Sequence, residues 1–380
     1  MKIVHVVISE KFIEGMSYQE NLLSHKHKEL GHDVYIIAAQ MYFDRNGKKV
    51  IAAKEYVNSD GIKVIILPCS TTFHHLHLFI KKVKGLYIKL IEISPDIIFV
   101  HGLTAKDNYT IVNYVRKNRN VKVFADNHND FYNSPITSSS AKLRLFFQKK
   151  YAQSLIPYTQ RFWGTIPWRN DYMNEVYGIP KEKIDLLVMG ANEKLILGKN
   201  REQYRSIIRK KYNIPLDSFL IVTGGVLDKR KRQDLLLESV KCITDKNIYL
   251  LVFGSPTKEM ESVCEKYKDV KNIRLIGWLN SNDVYDIFLA SDLAFFPGTH
   301  SVLWEQSIAC ALPAVFNFFS GMQHVNVNGN ALLLKEMTVD TITSTIIELY
   351  YTEKYYLMLE RAKTVASSFF LKDVALKSIQ

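Results

Sequence analysis

The 380-residue sequence is short of the residues that mark several large classes of protein. Its only cysteines are Cys69, Cys242, Cys264 and Cys310, and their spacing fits neither a disulfide scaffold nor a zinc site. No apolar run is long enough to cross a bilayer, and the opening "MKIVHVVISE" does not have the form of a signal peptide. These absences favour a protein of the reducing cytosol without a membrane span.

Acidic residues are scarce relative to basic ones, but only in one half of the chain. Residues 1–200 contain 28 Lys and Arg against 18 Asp and Glu, a balance of +10, whereas residues 201–380 contain 22 against 20. The first half is therefore expected to face an anionic partner. The pI of about 9.2 and the 21 tyrosines raise nucleic-acid binding as a hypothesis. Against it, the basic residues form no dense tract interleaved with aromatic residues, so no nucleic-acid partner is predicted.

What the sequence does have is a regular alternation of β-branched runs and amphipathic segments, which predicts an α/β fold with parallel sheets. The strand candidates of the first half are "KIVHVVI", "DVYIIAA", "KVIILP", "DIIFVHG" and "VKVFADNH". After a polar stretch near residues 195–205, a second series follows: "FLIVTGG", "IYLLVFG", "IRLIGW", "LAFFPG" and "PAVFNF". Each series predicts a Rossmann-like, doubly wound domain, residues 1–197 and 198–380, with a C-terminal helix that can pack back on the first.

Two strand ends of the second half have the composition of a phosphate site. In "VTGGVLDKRKRQD", Gly224 and Gly225 close a strand and four cations follow from Lys229 to Arg232, although the P-loop spacing is absent. Gly254 closes the next strand, in "LVFGSP". Ligands of open α/β sheets bind at the carboxyl ends of the strands, where small residues let the backbone approach and cations match phosphate. The alternative interpretation is a solvated run of charge before a helix.

A third strand end, "FFPGTHSVLWEQSIACALP", opens through a turn onto a helix. The turn residues expected to hold a diphosphate through backbone N–H groups are Gly298, Thr299, His300, Ser301 and Val302. One to two turns further in, Glu305 or Gln306 could accept hydrogen bonds from a ribose diol, and charge favours Glu305. The alternative is an exposed glutamate on an ordinary helix.

At this point the chain resembles the GT-B nucleotide-sugar glycosyltransferases, specifically the family 4 (group 1) retaining enzymes, over nearly its whole length. The resemblance implies two Rossmann-like domains facing a central cleft, and it places Lys231 on the family's phosphate-binding lysine. The family's other basic position falls on Val226, so Lys229, Arg230 or Arg232 would have to supply the second cation.

The segment "ACALP" is similar to the small-residue ending that follows the family's pair of glutamates. Counting back from it, the second glutamate falls on Gln306, with Glu305 adjacent. The first falls near Gly298, where the sequence has no acid, and His300 is the nearest polar substitute. This departure concerns the residue that usually anchors the donor sugar.

In the first half, the resemblance implies a glycine-rich turn near donor and acceptor, at Gly15 on the donor side and Met16 on the acceptor side. A histidine that contacts the donor sugar falls on His128, in "FADNHNDF", and His101, in "FVHG", lies at the preceding strand end on the acceptor side. A structural role is the alternative for each histidine. Together with Lys231, His128 is expected to act closest to the chemistry.

Residues 74–93, "HHLHLFIKKVKGLYIKLIEI", repeat apolar residues at helical spacing beside several lysines. They predict either a helix that lies on an anionic membrane surface or a core-packed helix with a solvated basic face. Lipid-linked acceptors are common in the family that the chain resembles, which keeps the membrane interpretation open.

The resemblance implies a retaining transfer of a sugar from a nucleoside diphosphate donor to a hydroxyl of a glycan or lipid-linked acceptor, in bacterial surface polysaccharide synthesis. The expected location is the cytoplasm, or the inner face of the cell membrane. The nucleotide sugar is a substrate and no cofactor is expected. The absence of an Asp-x-Asp motif argues against a metal requirement. In the family the donor phosphate is thought to take the acceptor proton, so no general base is assigned. The alternatives are a nucleotide-sugar 2-epimerase and a non-catalytic nucleotide-sugar-binding paralogue.

Overall fold

The computed structural model describes residues 1–10, 12–14, 18–40, 42–43, 49–50, 54–70, 80–134 and 138–380. The chain divides into two compact units, the first made of Met1–Val188 with Val374–Gln380 and the second of Met189–Asp373. The division at Val188 precedes the predicted boundary at 197/198. The reason is that the polar stretch near 195–205 is no linker, since it includes the start of a helix capped by Asn200.

The first unit contains an eight-stranded sheet in the order β10-β9-β8-β7-β1-β2-β6-β5, and all neighbours run parallel except β5 and β6. The strands of this unit are β1 Lys2–Val7, β2 Asp33–Ala39, β3 Tyr42–Phe43, β4 Lys49–Val50, β5 Glu55–Val57, β6 Lys63–Leu67, β7 Ile97–His101, β8 Lys122–Asn127, β9 Thr159–Gly164 and β10 Ile184–Leu186. Strands β3 and β4 form a separate antiparallel pair. The central strands are buried almost throughout, as expected of parallel strands that are covered on both faces.

The helices of the first unit are α1 Gln19–Glu29, α2 Leu86–Ile93, α3 Asn108–Lys117, α4 Ser139–Leu155 and α5 Pro167–Glu175. The end of the chain also belongs to this unit. The Trp163 indole N–H donates to the Ser378 carbonyl at 3.0 Å, and Lys377 Nζ lies 3.2 Å from an Asp185 carboxylate oxygen. The last helix is therefore tied to the first sheet by both a hydrogen bond and an ion pair.

The second unit is built on a six-stranded parallel sheet in the order β13-β12-β11-β14-β15-β16. Its strands are β11 Phe219–Gly224, β12 Ile248–Phe253, β13 Ile273–Leu275, β14 Leu293–Phe296, β15 Ala314–Asn317 and β16 Ala331–Leu334. Its helices are α6 Arg201–Lys211, α7 Gln233–Cys242, α8 Lys258–Glu265, α9 Asp283–Ala290, α10 Leu303–Ala309, α11 Val339–Leu349 and α12 Glu353–Val365, and α13 Leu371–Ser378 leads back to the first unit. The strand order reverses between β11 and β14, which makes this the ligand-binding edge of a doubly wound sheet.

The continuous helix predicted over residues 74–93 is wrong within the described part, because only Leu86–Ile93 forms an α-helix of that segment after residue 80. Lys81 and Gly85 both have positive φ angles, 49° and 88°, which interrupt a right-handed helix. The Lys81 side chain turns inward, and its ammonium donates to the Ser9 carbonyl at 2.5 Å and to Thr104 Oγ1 at 2.8 Å. Lys81 therefore does not belong to an outer basic face. Residues 74–79 lie outside the described residues.

Among the helices that the structure describes, not one combines the length and the apolar composition needed to cross a bilayer.

Candidate functional site

The carboxyl ends of β11 and β14 lie side by side at the point where the second sheet reverses its strand order. The loop after β11 contains the short 3₁₀ turn Lys229–Lys231, and the loop after β14 leads into α10. The fold thus brings together two of the three segments that the sequence singled out. Gly254, which closes β12, lies beside them, since β12 pairs with β11 and the Gly225 N–H donates to the Phe253 carbonyl at 3.1 Å.

Glycine is required at this edge because backbones meet there. A Cβ atom on Gly298 would lie 2.3 Å from the Arg230 carbonyl oxygen, and one on Gly254 would lie 1.8 Å from the Gly225 carbonyl oxygen. The Thr299 N–H donates to the same Arg230 carbonyl at 3.1 Å and fixes the contact between the two loops. At these positions, the absence of a side chain allows the backbones of neighbouring loops to pack against each other.

Lys231 joins the two loops through its side chain. Asp228 caps the 3₁₀ turn by accepting from the Lys231 N–H, and the Lys231 ammonium donates to the carbonyls of Thr299 at 2.7 Å and His300 at 2.9 Å. Burial lowers the pKa of this ammonium to about 8, against the opposing effect of Asp228. An ammonium has three N–H donors, and within the described residues only two of them have acceptors. The third can reach a ligand.

The other cations of the run lie outside this contact. The Lys229 side chain is 74% exposed and its ammonium is 3.6 Å from Glu259. The Arg230 side chain is 63% exposed and pairs with Asp228 at 2.6 Å. Arg232 donates to the Met337 carbonyl at 2.8 Å. The sequence grouped four cations, but the structure places Lys231 alone between the two loops.

Glu305 is enclosed by two histidines. Its Oε1 accepts from His300 Nε2 at 2.7 Å and from His324 Nε2 at 2.9 Å, and the side chain has no exposed surface. Burial alone would raise the pKa of the carboxyl, but His300 and then His324 outweigh it and lower the pKa to about 2. The second carboxylate oxygen is also buried, with no hydrogen-bond partner in the described ranges. The group is therefore an ionised carboxylate held inside the protein.

Gln306 is also engaged. It is 5% exposed, and its side chain hydrogen-bonds the Tyr285 hydroxyl, which accepts from the Asn192 N–H at 3.0 Å. In this conformation the Gln306 side chain is engaged by Tyr285, and Glu305 Oε1 is held by His300 and His324. The predicted ribose contact at Glu305 would therefore have to use the buried Oε2, which would first have to become accessible. His300 stands near the position of the missing glutamate, but its ring faces Glu305.

Sequence reasoning did not identify His324. It belongs to the 3₁₀ turn Gln323–Val325 in the loop after β15. The contact between His324 and Glu305 joins residues of different loops, and no spacing along the chain indicates it. The one available signal was that the loop follows a strand of the same sheet.

In the first unit, His128 follows β8 and faces a carboxylate that sequence reasoning also missed. Asp126 is fully buried, and its Oδ1 lies 3.3 Å from His128 Nε2. Burial disfavours the charge on Asp126, but His101 and His128 outweigh it and hold the pKa of this carboxyl far below its usual range. Burial likewise opposes protonation of His128, but Asp126 prevails and raises the pKa of its imidazole. The His128 side chain is 21% exposed, so part of its imidazole can be reached from solvent.

His101 is not placed for the predicted contact with an acceptor. It is fully buried, and its Nδ1 donates to Asp126 Oδ2 at 2.7 Å. Strands β7 and β8 pair with His101 opposite Asp126, and this register creates the hydrogen bond. His101 therefore lies behind Asp126 and not at the surface. Gly15 and Met16 lie outside the described residues.

Comparison with known proteins identifies the second unit. Residues 205–364 match the family model for glycosyl transferases group 1. The chain is similar to a solved glycosyltransferase from Rickettsia africae, at 14% identity over 99% of this chain and 96% of that chain, with a TM-score of 0.71. No curated protein sequence matches it significantly.

Two further solved structures share the fold over nearly the whole chain. Anabaena HepE, solved in complex with UDP, is 14% identical over 99% of this chain and 98% of that chain, with a TM-score of 0.72. WaaG, a glycosyltransferase involved in lipopolysaccharide biosynthesis, is 14% identical over 99% and 98%, with a TM-score of 0.68. The segment that matches the family model includes both loops of the switch point and the Glu305 cluster. The chain therefore has the GT-B fold, and residues 205–364 of its second unit match the model for glycosyl transferases group 1.

Proposed function

We propose that the protein transfers a sugar from a nucleoside diphosphate donor to a hydroxyl acceptor, with retention at the anomeric carbon. The observation that carries the proposal is the Lys231 ammonium, held between the two switch-point loops of a group 1 glycosyl transferase domain. A half-buried cation with an N–H that has no acceptor among the described residues is suited to a diphosphate at this edge. HepE, which has the same fold, binds UDP and UDP-glucose.

The chemistry that the site has to support is departure of a diphosphate. The bond between the anomeric carbon and the diphosphate oxygen breaks, and the acceptor oxygen bonds to the same face of that carbon. The acceptor proton goes to the departing phosphate oxygen, so no general base is needed. Lys231 stabilises the charge that develops on the diphosphate, which is where fixed cations contribute most. His128, which faces the Asp126 carboxylate, is proposed to contact the transferred sugar.

The acceptor is proposed to be a glycan or a lipid-linked sugar used for a bacterial surface polysaccharide. The proposal is made by analogy with WaaG, which is involved in lipopolysaccharide biosynthesis. The corresponding location is the cytoplasm or the inner face of the cell membrane. No metal is assigned to the reaction, since Lys231 supplies positive charge at the diphosphate.

Purified protein, incubated with a panel of nucleotide sugars and lipid-linked acceptors, is expected to give a product one sugar heavier than an acceptor, detected by mass spectrometry. The yield should be the same with EDTA as without it. Loss of transfer in EDTA, restored by manganese, would contradict the electrostatic role given to Lys231. Interconversion of donor epimers without an acceptor would instead identify a 2-epimerase. Nucleotide binding without turnover of any donor would identify a non-catalytic paralogue.

Association with an anionic membrane is proposed for α2 and the residues before it. Ile88 and Ile91 on α2 are 60% and 55% exposed, and Lys84, which precedes this helix, is also exposed. Vesicles that contain phosphatidylglycerol are expected to bind the protein, less so when Lys82 and Lys84 become Glu, and less so at high salt. Sedimentation with the vesicles measures both effects.

The matched control changes Arg116 and Arg119, exposed residues at the end of α3 and in the loop after it, to Glu. This variant has the same net charge as the first. Vesicle binding that drops equally in both variants would show a general effect of charge, and the helix would then have no specific role at a membrane.

A further inference from the structure

Behind Asp126, the first unit contains an unbroken chain of three buried histidines. His101 Nδ1 donates to Asp126 Oδ2 at 2.7 Å, His101 Nε2 lies 2.9 Å from His5 Nδ1, and His5 Nε2 lies 3.1 Å from His27 Nδ1. All three imidazoles are fully buried. They come from β7, β1 and α1, so the chain crosses the sheet toward the helix layer. We call these three residues the histidine chain.

The other end of the histidine chain reaches the last helix. His27 Nε2 lies 3.1 Å from the Ala375 carbonyl oxygen and 3.1 Å from Ser378 Oγ, both on α13. The Ser378 hydroxyl in turn donates to the Ala375 carbonyl at 2.8 Å. The histidine chain therefore lies between two groups that only accept hydrogen bonds, a carboxylate at one end and a carbonyl at the other.

Counting protons shows what this arrangement requires. The four links from Asp126 to Ala375 need one N–H each, whereas three neutral imidazoles carry three N–H groups in total. With one more proton, His101 is an imidazolium beside the Asp126 carboxylate. It then donates to His5, His5 donates to His27, and His27 donates to the Ala375 carbonyl. Every contact is satisfied, including the bond from Ser378 to Ala375.

Without the additional proton, the hydrogen bonds between the three imidazoles of the histidine chain reverse their direction. His101 still donates to Asp126, but its bare Nε2 now accepts from His5, and His5 accepts from His27. The Nε2 of His27 is then bare and faces the Ala375 carbonyl. It can be satisfied only if the Ser378 hydroxyl turns away from that carbonyl and donates to the ring. One proton at His101 thus changes a hydrogen bond on α13.

We propose that the histidine chain is a proton wire whose hydrogen bonds can run in either of two directions. It positions His128 through Asp126, and it links the charge of this site to the C-terminal helix. The catalytic relevance rests on the proposed role of His128. The wire itself rests on its four contacts. It makes His101, His5 and His27 positioning residues, since within the first unit Asp126 lies between them and His128.

Other charged or titratable groups lie close to this network. They are Glu20 on α1, His32 before β2, Glu10 after β1 and Arg169 on α5. Burial raises the pKa of the Glu20 carboxyl, which favours its neutral form. Burial also lowers the pKa of His27 to about 4 and that of His5 well below its usual range. Both shifts disfavour a charged imidazole at His5 or His27.

Ser378→Ala is the sharpest test, because only the reversed, deprotonated wire needs this hydroxyl as the donor to His27. In the protonated state the Ala375 carbonyl loses the Ser378 bond but still accepts from His27, whereas in the deprotonated state His27 Nε2 is left bare. The additional proton should therefore bind more tightly in the variant. We expect the titration of the His101 imidazole to move up by about one pH unit, a tenfold change in proton affinity, and that of His128, which shares the Asp126 carboxylate, to move down. Histidine side-chain NMR of the full chain between pH 5 and 9 measures it, with signals assigned by His101→Gln and His128→Gln.

Two further variants separate a wire from a local packing effect. Ser154→Ala removes the same kind of hydroxyl bond, from Ser154 to the Tyr151 carbonyl on α4, and should leave both titrations in place. His27→Gln inserts an amide, whose donor and acceptor ends cannot exchange roles by moving a proton. On that background, Ser378→Ala should have no effect on His101. A shift that persists there, or Ser378→Ala titrations equal to wild type, would overturn the proposal.

These titrations are measured without donor or acceptor, so they are independent of sugar transfer. A protein that transfers no sugar but shows the Ser378→Ala shift would keep the wire and lose the proposed function. If the protein transfers sugar, the pH profile of kcat should move with the shift in Ser378→Ala and stay in place in Ser154→Ala. A profile that stays in place while the imidazoles shift would remove the link between the wire and His128 catalysis.

Discussion

Lys231→Ala is expected to weaken the binding of a nucleoside diphosphate by about 1.5–3 kcal/mol, roughly 10- to 150-fold in Kd. The reason is that Lys231 is the one cation of its run whose ammonium lies between the loops after β11 and β14, where it donates to the Thr299 and His300 carbonyls. Isothermal titration calorimetry with UDP measures the loss. Unchanged affinity would remove Lys231 from the site.

Lys229→Ala is the matched control, since it deletes an equal charge from the same 3₁₀ turn. Its ammonium is at the surface near Glu259, so the expected loss is within about 0.5 kcal/mol. The pH dependence gives an independent check. Because burial lowers the pKa of Lys231 to about 8, wild-type affinity should decline between pH 7.5 and 9, where the charge of the nucleotide is constant. Lys231→Ala should lack this decline.

Much of the second sheet could be predicted because each of its cues is local. Short β-branched runs that end in glycine mark strands, and the order of strands along a doubly wound sheet brings their ends together. Gly225, Gly254 and Gly298 were recognised in this way. Close backbone contacts explain the glycine at Gly254 and Gly298, and a φ of 101° explains it at Gly225. The phosphate-binding role of Lys231 was predicted from the resemblance to the family. In the structure its ammonium contacts the loop after β14, through the Thr299 and His300 carbonyls.

The polar clusters could not be predicted, since each joins residues that are far apart in the sequence. His324 meets Glu305 across two loops, and Asp126 meets His101 through the register of β7 and β8. The sequence also does not show in which direction a side chain points. Lys81 fits the basic face of a helix by spacing, but it points inward because the backbone has a positive φ there.

Each unit places a buried carboxylate between two imidazoles, Asp126 in the first and Glu305 in the second. A carboxylate in this setting stays ionised, because the adjacent rings compensate for the loss of water. It also fixes which ring nitrogen carries a proton. In each cluster the carboxylate, Asp126 or Glu305, therefore determines which ring nitrogens of its histidines carry a proton, and it does so without having to contact a ligand.

Glu305→Leu is expected to lower the free energy of unfolding of the second unit by about 3 kcal/mol, because it leaves two buried imidazoles without their acceptor. Urea unfolding, followed by the fluorescence of Trp304 next to the substitution, measures this change. Glu265→Leu is the control. The Glu265 side chain is 72% exposed, and its replacement should change stability by no more than about 0.5 kcal/mol.

The pH dependence of this difference has a definite sign. The folded pKa of Glu305 is about 2, below the ordinary 4.5 of an unfolded chain, so its contribution is present above pH 4.5 and is lost as the pH falls toward 2. The gap between wild type and Glu305→Leu should therefore shrink by about 0.8 kcal/mol from pH 6 to pH 4. A gap that widens over this range would mean that Glu305 is protonated in the folded protein.

The same variant also decides what Glu305 does for a nucleotide. Because the carboxylate is enclosed by His300 and His324, Glu305→Leu should keep the preference for a nucleoside diphosphate over its 2′,3′-dideoxy analogue. Affinity for both ligands should fall together, since the loop that carries His300 loses its anchor. If only the ligand with the intact ribose binds less well, the sugar must reach the Glu305 carboxylate. The buried, unpaired Oε2 would then be the atom that the ribose satisfies.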